Sequence, residues 1–244
     1  MDSRAFSPVR ALRLSAGLLL VGQLLYIMVT QFHAGGDANN HPGIFAAYAA
    51  NGIWAAVHVG QFVSMAILIA GLLALFFALD VREGTATWAG RFGAVSATAA
   101  LALYGVLQAV DGIALKQAVN AWAIAPEAEK AARFASAEAI RWLEWGVRSY
   151  QDFALGLALL LLAVAVVRLA WAPRPIAYLM GLSGLAYLVQ GWVLGSQGFS
   201  PMHSVAIVLA WVVTLVWMIW LGVVAWRMQD SGLSAEPGRL TGTI

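Results

Sequence analysis

The sequence predicts an all-α fold, a polytopic membrane helical bundle of six transmembrane helices with both termini in the cytoplasm. Of its 244 residues, 61% are hydrophobic and only 11% are charged, whereas about a quarter of the residues in a soluble domain carry a charge. Six apolar segments are each long enough to cross a bilayer, which takes roughly 20 residues of helix. Their continuous apolar runs lack the alternation of barrel strands, so we expect helices.

The predicted spans follow one another along the chain with short connections between them. Their limits are residues 12–32, 52–79, 88–115, 140–168, 176–196 and 203–226. We predict that residues 1–229 form a single transmembrane domain and that residues 230–244, rich in Ser, Gly and Thr, form a flexible cytoplasmic tail. Pro126 is followed by Glu127 and Glu129, a pattern typical of a helix start, which predicts an interfacial helix that leads into the fourth span.

The distribution of positive charge predicts the orientation of these spans. One side of the predicted bundle carries most of the arginines, namely Arg4, Arg10, Arg13, Arg82, Arg91, Arg168, Arg174, Arg227 and Arg239. The loops of the other side contain Lys116, Lys130 and Arg133, while Arg141 and Arg148 lie near or within a span. Because cytoplasmic loops are enriched in Lys and Arg, we expect the first side to face the cytoplasm.

Composition and motifs exclude several classes of function. A net charge of +2 without a basic cluster does not predict nucleic-acid binding. The absence of cysteine excludes disulfides, thiolate metal sites and iron–sulfur clusters. The chain also lacks a Gly-x-Ser-x-Gly elbow and a Walker or dinucleotide loop. The expected partners are therefore the lipid bilayer, a small-molecule or lipophilic ligand, and a membrane-protein partner or a second copy of the chain.

Polar residues are concentrated in the outward halves of the predicted spans. Residues 66–79, 153–167 and 205–224, in the inward halves, contain no ionisable side chain. Intramembrane polar side chains usually face a bundle interior or a water-filled cavity, so the pattern predicts an outward-facing polar pocket on an apolar floor. The polar residues concerned are Gln23, Tyr26, Thr30, His33, His58, Gln61, Tyr104, Gln108, Asp111, Glu144, Arg148 and Asp152.

The charged residues of the fourth span allow two interpretations. Glu144, Arg148 and Asp152 are spaced four residues apart, so they could neutralise one another as two successive ion pairs. Alternatively, they are catalytic together with Asp111, with Glu144 as an acid, base or ligand and Arg148 as a clamp for an anionic group. Asp111 could also simply pair with Lys116 or Arg148. The sequence leaves these alternatives open.

Histidines and carboxylates at similar depth predict a metal or haem centre. Imidazole and carboxylate are the usual ligands of zinc, copper and non-haem iron when thiolate is missing. Since no local motif such as His-Glu-x-x-His occurs, such a site would have to be assembled in space. The candidate metal ligands are His33, His58, Asp111, Glu144 and His203, and the candidate ligands of a bound cofactor such as haem are His58 and His203.

Four segments resemble uncharacterised bacterial multi-pass membrane proteins of six helices. They are residues 32–42 (FHAGGDANNHP), 56–62 (AVHVGQF), 110–116 (VDGIALK) and 141–146 (RWLEWG). The resemblance implies a helical bundle in the bacterial cytoplasmic membrane and brings no activity with it.

Three hypotheses for function follow from these features. The first is a metal- or haem-dependent membrane enzyme or redox protein that acts on a small or lipophilic substrate. The second is a non-catalytic role, as a ligand-binding, sensor or assembly subunit of a membrane complex. The third is a small-solute transporter, against which the uncharged inward halves argue.

Overall fold

The computed structural model describes residues 8–79 and 84–228, and all regular structure in these two ranges is helical. The predicted all-α fold is thus confirmed for the described residues. Arg4, Arg82, Arg239 and the predicted tail at 230–244 lie outside them. The elements are α1 (Pro8–Thr30), α2 (His41–Ala50), α3 (Trp54–Ala78), α4 (Gly84–Leu107), a π-helical segment (Gln108–Leu115), α5 (Lys116–Ala123), α6 (Glu127–Val166), α7 (Arg174–Gln197) and α8 (Pro201–Arg227).

Six of the helical stretches are long and apolar enough to cross a membrane, as the sequence predicts. The third runs without interruption through α4, the π-helical segment and α5, and both it and α6 contain 40 residues. At 1.5 Å per residue such a helix is about 60 Å long, roughly twice the thickness of a bilayer core. Helix α6 begins at Glu127 directly after Pro126, which confirms the predicted start, but no break separates an interfacial helix from the span.

The helices pack in a closed arrangement. Helix α1 packs on α3, α4 on α6, α6 on α7 and α7 on α8, while the α1–α8 and α3–α4 contacts complete the bundle. The α6–α7 contact depends on Gly156 and Gly184, because a Cβ atom on either would lie 2.7 Å from the other's carbonyl oxygen. Small residues allow this close approach of helices in membranes. Gly156 and Gly184 therefore set how closely α6 and α7 pack.

One end of the bundle is polar and the other is apolar. The end of the bundle where α1 ends and α3 begins, near His33, His58 and His203, is called the polar end. Away from it, side chains such as Leu72 and Trp217 form a large buried apolar cluster. The predicted apolar floor is present, while the direction in which the polar end faces stays a prediction.

Helix α2 lies at the polar end and is held there by Lys116. The Lys116 ammonium donates hydrogen bonds to the carbonyl oxygens of Tyr48, Ala49 and Asn51, at 2.5, 3.0 and 3.1 Å. A cation at a helix C-terminus satisfies the last carbonyl groups and the helix dipole. Lys116 therefore does not form the predicted pair with Asp111.

Candidate functional site

Three of the predicted metal ligands converge at the polar end. They are His33, in the loop after α1, His58, on α3, and Asp111, in the π-helical segment. One potential ligand atom from each lies within 4.8 Å of those of the other two. The Asp111 Oδ2 atom is 3.1 Å from His58 Nε2 and 3.9 Å from His33 Nε2. These three are among the five ligands that the sequence predicts, and they come from separate segments of the chain.

Both imidazoles reach Asp111 with the same ring nitrogen. The Nδ1 atom of His58 lies 2.9 Å from the Trp54 carbonyl oxygen, and that of His33 lies 3.1 Å from the Ala34 carbonyl oxygen. A carbonyl oxygen can only accept, so each Nδ1 carries the hydrogen. The Nε2 atom of a neutral imidazole then presents a lone pair. This arrangement, with Nδ1 bound to a backbone carbonyl, is typical of histidines that bind a metal through Nε2.

When both histidines are neutral, three acceptor groups face one another in this cluster. An ionised Asp111 only accepts hydrogen bonds, and its Oδ1 atom is buried without a hydrogen-bond partner among the described residues. Two neutral imidazoles and a carboxylate repel one another at these distances unless a proton or a metal ion lies between them. Burial lowers the pKa of His33 below its ordinary value of 6.5, although the nearby Asp111 opposes this effect. The neutral form is the one that binds a metal.

Aromatic rings and a glycine fix the orientation of the two histidines. The Trp54 ring lies 4.4 Å from the His58 ring at 30° and 5.0 Å from the His33 ring, measured between centroids. The Trp54 indole donates a hydrogen bond of 3.1 Å to the carbonyl oxygen of Gly112. A Cβ atom on Gly112 would lie 3.0 Å from His58 Cβ and Cγ. A larger residue at this position would require His58 or the π-helical segment to shift by a few tenths of an ångström.

A polar cavity of about 390 Å³ adjoins this group. Its lining includes His33 and Asp111 and, from α6, Arg141, Glu144 and Arg148. The predicted pocket is thus present, and four of the predicted site residues line it. The group of His33, His58 and Asp111 is thus open on one side to a cavity with charged walls.

Arg141 is the charged residue that sequence reasoning did not select. It is only 1% exposed and forms a buried ion pair with Glu144, three residues further along α6. The guanidinium also lies over the rings of Phe199 and Tyr48, 4.8 and 5.5 Å from their centroids. The spacing of Arg141 and Glu144 at i and i+3 is the sequence signal that could have indicated this pair.

The two predicted ion pairs on α6 are not formed. Among the residues that the structure describes, no ion pair within 4.0 Å joins Arg148 to Glu144 or to Asp152. Arg148 instead donates a hydrogen bond of 3.4 Å to the Tyr26 hydroxyl. Asp152 is 1% exposed, and its Oδ2 atom lacks a hydrogen-bond partner in the described part of the chain. Neither of the two ion pairs that the spacing on α6 allows is therefore formed within 4.0 Å in this described helix.

The remaining predicted ligands lie outside the group of three. His203 is 1% exposed, its ring packs 5.1 Å from that of Phe199, and it is not among the residues that line the polar cavity. Glu144 lines the cavity, but its carboxylate is bound by Arg141. The fourth histidine, His41, lies 2.8 Å from Glu138. The structure brings His33, His58 and Asp111 together and leaves Glu144 and His203 apart.

No protein-family model, curated protein or solved structure matches this chain. The resemblance of its four segments to uncharacterised bacterial proteins therefore identifies no family. The six long apolar helices are those of a multi-pass membrane protein.

Proposed function

We propose that this chain is a membrane-embedded metal-dependent enzyme whose metal ion is bound by His33, His58 and Asp111. The observation that carries the proposal is the convergence of two Nε2 atoms and one carboxylate within 4.8 Å, with both Nδ1 atoms engaged by backbone carbonyls. Three protein ligands and an open position are typical of catalytic metal sites.

The donor set favours zinc or non-haem iron. Two imidazoles and one carboxylate occur in catalytic zinc sites and in the facial triad of iron oxygenases. Zinc in such a site activates water or polarises a carbonyl group, and iron activates oxygen. The rings of His33 and His58 lie side by side, with centroids 5.3 Å apart. This spacing suits two ligands of one metal ion, whereas two axial ligands of a haem iron would have to lie on opposite faces of the porphyrin.

The other charged residues of the cavity bind and orient the substrate in this proposal. Arg148 is free of a carboxylate partner within 4.0 Å among the described residues and lines the cavity, so it can hold an anionic group. Glu144 and Arg141 form a buried ion pair near Asp111. Asp152 lies about one turn beyond Arg148, where it balances the charge of that guanidinium.

Elemental analysis of the purified protein tests the proposal. The protein is purified in mild detergent without a histidine tag, and its metal content and visible absorption spectrum are recorded. We expect a stoichiometric transition metal that is lost in His58→Ala and in Asp111→Asn, because each substitution removes one of three ligands.

His41→Ala and His203→Ala are the matched controls, since each removes a buried imidazole that lies outside the group. Both variants should retain the metal. A metal-free, colourless protein, or a metal retained by His58→Ala, would contradict the proposal. A Soret band lost in His203→Ala would assign a haem instead.

A non-catalytic ligand-binding or sensor role is the alternative that one observation favours. The 3.1 Å distance between His58 Nε2 and Asp111 Oδ2 also suits a protonated histidine paired with the carboxylate. In that case His33, His58 and Asp111 stabilise the fold, and the cavity binds a ligand without catalysing a reaction. The transporter hypothesis gains no such support, because apolar side chains including Leu72 and Trp217 fill the bundle beyond the cavity.

A further inference from the structure

A second cavity, which we call the α3–α4 groove, opens on the outside of the bundle at the level of His58. It has a volume of about 420 Å³ and lies between α3, the end of α4 and the π-helical segment. Its walls include Val59 and Ile113, which are 63% and 59% exposed on the lipid-facing surface. Gly105 and Ala109 lack the bulk to fill it. The groove is therefore apolar and accessible from the hydrocarbon of the bilayer.

Two polar side chains lie between the groove and the candidate site. His58, one of the three proposed ligands, lines the groove. Gln108 lines both the groove and the polar cavity, so it is the side chain that the two cavities share. Its Oε1 atom is buried without a hydrogen-bond partner among the described residues. Buried polar atoms of this kind are normally satisfied by water or a ligand.

Arg148 provides a cationic partner for a negatively charged group in the polar cavity beyond Gln108. Arg148 lines it, and the Nε atom of its guanidinium is buried without a hydrogen-bond partner in the described ranges. The charges of Arg141 and Glu144 cancel in their ion pair. A divalent metal on Asp111 would leave a further net positive charge. Arg148 can thus pair with an anion in the cavity that Gln108 separates from the apolar groove.

We propose that the substrate is a single-chain amphiphile with an anionic head, such as a long-chain carboxylate. Its chain lies in the α3–α4 groove, and its head group passes Gln108 to pair with Arg148, next to the metal ligands. This inference rests on the proposed function for the chemistry at the metal, but binding of the amphiphile does not require the metal.

The chain contains a matched control groove. Between α6 and α7, a cavity of about 460 Å³ is lined by apolar residues that include Leu160, Val164 and Leu185. Gly181 lies in this control groove as Gly105 lies in the α3–α4 groove. A Cβ atom at Gly181 would lie 3.7 Å from its nearest neighbour, and one at Gly105 would lie 3.5 Å away. Both glycines therefore accept a side chain that fills the groove.

Photo-crosslinking with a diazirine-bearing palmitate analogue tests the inference. The full-length protein in detergent is irradiated with the probe, and labelled peptides are mapped by mass spectrometry. We expect labelling on α3 and the π-helical segment that is abolished by Gly105→Leu and is unchanged by Gly181→Leu. Ala55→Leu, which narrows the groove from the exposed surface of α3, should have the same effect as Gly105→Leu.

The role of the charge is tested separately with the fatty alcohol of equal length. Arg148→Gln should weaken competition by palmitate at least roughly tenfold, the value of one charge-assisted hydrogen bond. It should leave competition by the alcohol unchanged. Equal labelling of both grooves, or an Arg148→Gln effect on acid and alcohol alike, would overturn the inference.

Metal content, measured on the same samples, separates this inference from the proposed function. A stoichiometric metal without selective labelling of the α3–α4 groove would overturn the inference and leave the metal proposal standing. Selective labelling of a metal-free protein would support the inference while contradicting the proposed enzyme. Gly105→Leu and Ala55→Leu should both retain the metal, which also shows that they fold.

Discussion

At the scale of single residues, the most strongly determined side chain in the site is His58. Its Nδ1 atom is fixed by the Trp54 carbonyl oxygen, its ring lies against the Trp54 ring, and Gly112 approaches its Cβ and Cγ atoms. These contacts leave Nε2 directed at Asp111. Such preorganisation by surrounding groups is a property of binding sites, where a ligand must be held in a productive orientation.

The Arg141–Glu144 pair yields a prediction about stability. Replacing one member of a buried ion pair leaves an uncompensated charge and costs about 3–5 kcal/mol. We therefore expect Arg141→Met to lower the free energy of unfolding by this amount, because Glu144 is only 2% exposed. Denaturant titration in mixed micelles, followed by tryptophan fluorescence, measures the change.

The double variant Arg141→Met/Glu144→Leu is the control for this prediction. Replacing both charges with apolar groups of similar volume is often neutral, so the double variant should recover most of the stability lost by Arg141→Met. A double variant no more stable than Arg141→Met would show that the aromatic contacts of the guanidinium, and not the unpaired charge, dominate.

At the scale of elements, the π-helical segment brings Asp111 into the site. A π-helix adds residues to each turn, is rare, and is frequently found at functional sites. Here it extends α4 across eight residues, Gln108–Leu115, and buries Asp111, Gly112 and Leu115. The carboxylate and the glycine that faces His58 are neighbours in this segment. The π-helical segment thus supplies one proposed ligand, Asp111, and through Gly112 leaves room for the ring of a second, His58.

Gly112→Ala tests the close approach of the π-helical segment to α3. The added Cβ atom would lie 3.0 Å from the Cβ and Cγ atoms of His58, so the imidazole must shift relative to Asp111. Changes around metal ligands typically cost 10–100-fold in metal affinity. We expect a loss in this range, measured by competition with a fluorescent chelator.

Gly105→Ala is the matched control for Gly112→Ala. It adds the same methyl group about two helical turns earlier, where the nearest contact, with Phe62, is an ordinary 3.5 Å. Metal affinity should not change. If Gly112→Ala and Gly105→Ala bind the metal equally well, the position of the His58 ring does not depend on Gly112.

At the scale of the whole molecule, polarity is divided along the bundle axis. The cavity, the α3–α4 groove and the three proposed ligands lie at or near the polar end, while a buried apolar cluster fills the rest of the bundle. This division suits a site that admits a substrate from one side of the membrane or from one leaflet. Which side that is depends on the orientation, which the distribution of Lys and Arg predicts.

Single-cysteine labelling tests the predicted orientation. The sequence contains no cysteine, so one introduced thiol can be followed without background. Ser136→Cys, exposed near the start of α6, should react with a membrane-impermeant maleimide on intact cells. Ala170→Cys, exposed in the α6–α7 connection, should react only after permeabilisation. The opposite pattern would reverse the orientation and place the polar end in the cytoplasm.

Most of the fold could be predicted because its signals are local. A span needs only a sufficient run of apolar residues, and the start of α6 is indicated by Pro126 followed by acidic residues. The site was predicted in part. His33, His58 and Asp111 were among the candidates, but so were Glu144 and His203, which the structure leaves out of the group. The depth of a side chain along its helix can be counted from the sequence. The direction in which it points, relative to the neighbouring helices, cannot.

The sequence by itself determined that six helices in the described part of the chain are long and apolar enough to cross a membrane, and that the ionisable side chains within them are concentrated in one half of the bundle. Both properties follow from the cost of placing charge in hydrocarbon, which acts on each segment separately. Only the tertiary structure decided which polar groups meet. Glu144 pairs with Arg141 and not with Arg148, and Asp111 faces two histidines and not Lys116. Helix packing and the π-helical segment set these rotations, and they arise from contacts between segments far apart in the chain.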